Sequence, residues 1–216
     1  YFNDALYMRD LERNLGFKSI FYLLNGKGGR YGARSGSGLI KRFINEFDDD
    51  SEVGIHYNYD YSQNALLLNE QLEELNHLVG ASFCSGRAHY LTLDFEKSFS
   101  TIQGCGIRLD ESVGYATDNA FRVGFAGAYV INTSAGIAPL YELPLLFMDA
   151  NVVTPEGQRE MSEMLSKIER VGGVVTFLFH PGLANNPEFP EFLGIYERYL
   201  EYFSNNKYRS VKPKTL

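Results

Sequence analysis

Short apolar runs alternate with longer amphipathic stretches along most of this chain, and that alternation constrains the fold more than any single motif. The runs are Phe17–Leu24 (FKSIFYLL), Glu52–His56 (EVGIH), Ala81–Ser85 (ASFCS), Ile107–Asp110 (IRLD), Leu143–Met148 (LPLLFM) and 174–179 (VVTFLF). They are rich in β-branched and aromatic residues and read as strands. Between them, residues 4–15, 39–47, 62–79, 94–104 and 156–171 carry apolar residues at helical spacing, and a final aromatic helix is predicted over 189–204. In the helix over 62–79, Ser62 is the candidate N-cap, Leu66, Leu67, Leu72, Leu75 and Leu78 form the inward side, and Gly80 is the stop. Strands this apolar, each joined to the next by a helix or a long crossover, belong to a parallel sheet covered on both faces. The fold class is α/β. An open doubly wound sheet and a barrel both satisfy the pattern.

A chain of 216 residues with 44% hydrophobic and 14% aromatic content fills one ordinary domain core, which excludes disorder, and no repeat or Pro-rich linker divides residues 1–216. Twenty Lys and Arg against 27 Asp and Glu give a net charge of −7, which argues against a nucleic-acid partner. No apolar run approaches the roughly 18 residues a spanning helix needs, so no membrane span is expected. Cys84 and Cys105 lack zinc-finger spacing and are expected to be small buried residues. The compartment, cytoplasm or cell envelope, and the oligomeric state stay open.

The polar residues are placed unevenly. His56, Arg87, His89, Asp110, Asp149 and His180 all lie at or just beyond the C-terminal ends of predicted strands. In a barrel that rim gathers side chains from every strand, whereas an open sheet gathers those beside its switch point, so the pattern favours the barrel. Imidazoles, a guanidinium and carboxylates on one rim can bind a divalent metal, activate a water and protonate a leaving group, which suits hydrolysis of an amide or ester. Each residue also has a plainer reading: a histidine ending a strand is often a hydrogen-bonded structural group, Asp149 a loop-opening residue, and His77 a surface residue. Tyr57, Tyr59 and Tyr61 alternate as a sugar-stacking platform or as a packed loop. The Gly-rich stretch 25–38 lacks the order of a P-loop or of a dinucleotide fingerprint, and there is no GxSxG.

The motifs GIHYN (54–58), RAHYL (87–91), IRLDESVGYA (107–116), FRVG (121–124), ELPLLFMD (142–149) and FLFHPG (177–182) resemble, in order and spacing, those of the polysaccharide deacetylase-like (NodB-homology) proteins, in a divergent branch. The likeness spans about residues 17–182. It implies a distorted (β/α)7 barrel of the glycoside hydrolase/deacetylase type and metal-assisted removal of N- or O-acetyl groups from a carbohydrate. By position it implies His56 as a metal ligand, Arg87 as the arginine that orients the base, Asp110 as the aspartate that tunes the acid, and His180 as that acid. His89 would lie on substrate or behind the metal, with Tyr57 and Tyr59 also on substrate. The implied cofactor is a divalent metal, zinc first, and the implied partner a carbohydrate.

Two departures accompany the likeness. Where a second metal histidine is expected, this chain has Asp60, whose carboxylate is the candidate second metal ligand beside His56. The Asp pair that ends the family's first strand would fall before Tyr1, and Asp4 lies in a predicted helix, so six strands stand where seven are implied. An upstream stretch of the natural chain, or another segment, is expected to cover that gap, because parallel edges left open are an aggregation hazard. The rival to the hydrolase is a catalytically degenerate barrel that binds carbohydrate.

Overall fold

The chain's computed structural model describes residues 2–25, 31, 37–47, 52–80, 82–133 and 138–211. Its elements run α1 (Phe2–Asn14), β1 (Ile20–Leu24), α2 (Ser37–Asn45), β2 (Glu52–Tyr57), α3 (Ala65–Val79), β3 (Ser85–Ala88), α4 (Ser98–Gly104), β4 (Leu109–Asp110), β5 (Tyr129–Ile131) and β6 (Leu140–Glu142). They continue with β7 (Phe147–Met148), α5 (Asp149–Val152), α6 (Pro155–Val171), β8 (Phe177–Leu178) and α7 (Phe192–Asn205). The strands form a six-stranded sheet in the order β1-β2-β3-β4-β6-β5 and a separate β7-β8 pair. All pairings are parallel except β5 with β6. This is the expected α/β class with a parallel sheet, curved as in a barrel that hydrogen bonds do not close.

Local chemistry sets the helix ends. The Leu67 N–H donates to Asn64 Oδ1 at 3.2 Å, and Gly80, at φ 71°, closes α3 with its N–H on the Asn76 carbonyl. Ser62, the expected cap, instead sits in a short 3-10 turn with its hydroxyl donating to the Thr92 carbonyl at 2.9 Å. The helix therefore starts three residues later than expected and turns Leu68, Leu72 and Leu75 inward, while Leu66 is 68% exposed. In α6, Pro155 takes the first position and Thr154 Oγ1 accepts from the Gly157 N–H at 3.0 Å.

Three packed clusters hold these elements. One, around Ile55, Tyr57, Leu68 and Ile102, fills the space between the large sheet and α2 to α4. A second joins Phe147 on β7 to Met161 and Leu165 on α6 and Phe203 on α7. The third packs Met8 of α1 against Phe192, Tyr196 and Leu200 of α7 and so ties the two ends of the described chain together. Between β1 and β8 lies a cavity of about 1100 Å³, walled by residues of both strands and of α1 and α7.

Side chains alternate between the sheet's faces, and parallel register aligns them across strands. His56 stands opposite Arg87, while Gly86, Asp110 and Glu142 form a neighbouring rung. His56, Arg87 and Glu111 consequently face the cavity, and Tyr57, Asp110 and Glu142 face the helix side. Gly86 is required on that second face, because a Cβ there would lie 2.1 Å from the Tyr57 hydroxyl.

Several expected strands shift. The run at 81–85 gives way to Ser85–Ala88, whose small and polar residues hide the strand from an apolar scan but are all buried. Leu143–Met148 shortens to Phe147–Met148, and β5 and β6 arise in and beside the stretch expected to be irregular. Cys84 and Cys105 are free and half-buried. The Gly-rich stretch falls mostly outside the described residues.

Candidate active site

His56 is the penultimate residue of β2, and its Nδ1–H donates to the Arg87 carbonyl at 2.8 Å. Burial pulls its pKa down to about 3, outweighing the upward effect of that hydrogen bond, so the ring is neutral. His89 follows β3, donates from Nδ1 to the Tyr31 carbonyl at 2.8 Å, and lies with its ring centroid 4.9 Å from that of His56. Burial lowers its pKa as well.

His180 leaves β8 two residues after the strand ends, and its Nδ1 lies 3.0 and 3.1 Å from the two carboxylate oxygens of Asp149. Asp149 opens α5 directly after β7 and also accepts the His180 backbone N–H at 2.5 Å. The Asp149 side chain is 1% exposed and that of His180 is 44% exposed, so a buried carboxyl group holds a ring that reaches solvent. All three imidazoles thus have Nδ1 occupied, which leaves Nε2 as the nitrogen available to a ligand.

Arg87 is buried and paired. Its Nε donates to the Glu111 carbonyl at 3.0 Å, its Nη2 to Glu111 Oε2 at 2.5 Å, and its guanidinium lies 4.8 Å from the Tyr22 ring centroid. Burial raises the Glu111 carboxyl pKa and the Arg87 charge opposes the rise. The pair is a fixed part of the cavity wall.

Of the residues singled out from sequence, His56, Arg87, His89 and His180 line this one cavity. Asp110 does not. Its carboxylate accepts from the Tyr57 hydroxyl at 2.8 Å and the Ser112 N–H at 3.1 Å on the helix-side face, and His180 is held by Asp149 instead. Tyr57 cannot form a sugar platform, because it is wholly buried with its hydroxyl on Asp110. Tyr61 packs against the core, and Tyr59 stays exposed. Asp60, exposed in a left-handed turn, is not on the cavity wall beside His56. Glu111 and Asp149 were undervalued from sequence: both directly follow strands, and their partners lie 24 and 31 residues away.

The resemblance implies a metal, and His56 and His89, with ring centroids 4.9 Å apart, are neighbouring donor residues on the cavity wall. His56 and His89 are neutral and have Nε2 free, the form that binds metal. Among the described residues, however, no three His, Cys, Asp or Glu side chains are grouped to hold an ion. The described residues therefore do not make a complete metal centre.

No protein-family model matches the chain, and no curated protein matches it in sequence. Solved structures do match. A protein assigned as a polysaccharide deacetylase from Mycobacterium smegmatis superposes with a TM-score of 0.63 over 97% of this chain and 79% of its own, at 13% identity. The fold is that of the polysaccharide deacetylases. A second assigned deacetylase, from Pseudomonas aeruginosa PAO1, has a TM-score of 0.61 at 13% identity, covering 93% of this chain and 67% of its own. PuuE allantoinase shares the architecture, with a TM-score of 0.63 at 13% identity over 94% of this chain and 66% of its own. At such identity the likeness is one of fold, consistent with a divergent branch. No helix among the described residues is long and apolar enough to cross a membrane.

Proposed function

We propose that the chain is a carbohydrate deacetylase-like hydrolase that acts on N- or O-acetyl groups at the cavity mouth, with His180 as the proton-carrying residue. The observation that supports this reading is the His180–Asp149 pair: a buried carboxylate fixes Nδ1–H and leaves Nε2 at a cavity shared with His56 and His89. A water attacking the acetyl carbon can lose its proton to Nε2 of such a ring, which can return it to the departing amine or alkoxide as the C–N or C–O bond breaks, and Asp149 stabilises the cation while it persists. Arg87, pinned by Glu111, supplies a fixed positive charge in the wall beside the reacting acetyl group. His56 is too strongly held in its neutral form to act as the acid. When bound, a divalent metal would polarise the acetyl carbonyl. His56 and His89 are the residues here that could contribute to holding it, with Asp60 requiring a rearrangement of its turn.

The test is acetate release from N- and O-acetylated oligosaccharides with added zinc or cobalt. We expect His180→Ala to lower the rate at least about 100-fold and Asp149→Asn to lower it about 10- to 100-fold. Equal rates in wild type and His180→Ala, or no release from wild type, would sink the hydrolase reading. Glycan binding without release would favour the degenerate, binding barrel.

A further inference from the structure

Three exposed tyrosines stand together beside the cavity mouth, next to His89. The ring centroids of Tyr31, Tyr59 and Tyr90 form a triangle with sides of 4.8, 5.6 and 6.1 Å. The Tyr90 ring lies 4.4 Å from that of His89, which is 4.9 Å from that of His56, so an unbroken series of rings leads from the surface into the cavity. Tyr90 is 61% exposed and Tyr31 and Tyr59 are each 37% exposed.

The backbone under the cluster is unusual. Among the described residues, four non-glycine positions have positive φ, and three of them flank these rings: Asp60 at 61°, Tyr90 at 56° and Leu91 at 53°. Left-handed backbone destabilises any residue with a Cβ, and it persists where surrounding structure and function require it. A strained segment that exposes an aromatic ring is poor structural economy and good ligand geometry.

We infer that Tyr31, Tyr59 and Tyr90 form a saccharide-stacking platform that holds one sugar unit outside the cavity while the neighbouring unit enters it. The inference rests on the carbohydrate reading of the same site and names the residues that would grip the chain. Tyrosine offers an apolar ring face to the C–H side of a pyranose and a hydroxyl rim to its hydroxyls. A nucleobase would stack as well, but its phosphates would meet a protein of net charge −7. The series of rings through His89 makes the platform continuous with the cavity that holds His180.

The probes are the tetrasaccharides of N-acetylglucosamine, xylose and mannose, titrated against the whole chain by calorimetry, together with acetate release from the acetylated one. We expect at least one to bind, Tyr59→Ala to weaken it about five- to tenfold, and Tyr90→Phe to stay within about twofold of wild type. Tyr90→Gly provides the sharpest contrast. A structural role predicts that it lowers both Tm and binding, whereas a platform predicts binding weakened about tenfold with Tm unchanged or raised by about 2–4 °C, because glycine relieves the left-handed strain. In catalysis, the platform predicts a higher KM with kcat nearly unchanged. Unaltered binding and KM in Tyr90→Gly and Tyr59→Ala, or no binding of any tetrasaccharide by wild type, would overturn it. Acetate release with normal KM in these variants would defeat the platform and spare the hydrolase. Platform-dependent binding without acetate release would do the reverse.

Discussion

The two faces of the large sheet treat the same kinds of residue in opposite ways. On the helix side, Tyr57, Asp110 and Glu142 are buried, with the Tyr57 hydroxyl donating to Asp110 at 2.8 Å and Glu142 Oε1 accepting the Val113 N–H at 2.8 Å. On the cavity side, His56 and Glu111 have fixed partners too, yet they look onto open volume, as does His180 across the cleft. Being polar at the end of a strand is therefore not a functional mark. The mark is a group held by a buried partner on one side and free on the other, which describes His180 on Asp149 and does not describe Asp110.

The comparison can be broken by removing one member at a time. Arg87→Leu should have the largest effect, because it strands the Glu111 carboxylate with about 3–5 kcal/mol lost in urea unfolding; a loss under 1 kcal/mol would mean the pair is solvated. Asp110→Ala should cost about 2–3 kcal/mol by leaving the Tyr57 hydroxyl and the Ser112 N–H without their acceptor. Its acetate release per folded molecule should stay near wild type. A rate as low as that of Asp149→Asn would erase the distinction between the two aspartates.

Two smaller effects sharpen the contrast through pH. The pKa of His56 falls from 6.5 to about 3 on folding, so its contribution is complete above pH 6.5 and is lost as pH drops through that window. The stability difference between wild type and His56→Gln should thus shrink on acidification, by at most about 1.4 kcal/mol per pH unit. A flat difference between pH 7 and 4 would contradict a buried neutral ring. Glu142 has the opposite sign. Burial first, and the Asp110 charge second, push its pKa well above 4.5, so its contribution is present at low pH and lost as pH rises through the folded value. Glu142→Gln should be close to neutral at pH 4 and stabilising by about 1 kcal/mol at pH 7, and destabilisation at both pH values would refute the assignment.

Much of this was legible in the sequence. The alternation of runs gave the α/β class, and the motifs placed His56, Arg87, His89 and His180 on one rim because strand ends converge whatever the exact strand boundaries. What stayed hidden has physical causes. The strand Ser85–Ala88 carries no apolar signature, since its burial comes from the Tyr57 ring and the neighbouring strands. Asp149 looked like a loop residue because its partner is 31 positions away across a parallel pair. Tyr57 was readable in principle: next to His56 in an extended strand, it must face the other way. Tyr90 stood in the quoted RAHYL motif, but nothing in a sequence announces a left-handed backbone at tyrosine.

The most direct measurement is which imidazole nitrogen of neutral His180 carries the proton, read from nitrogen-15 imidazole spectra. The account predicts a proton on Nδ1 and none on Nε2 in wild type, a pattern lost in Asp149→Asn and retained in Asp110→Asn. A proton on Nε2 in wild type, or an equal response to both substitutions, would contradict it.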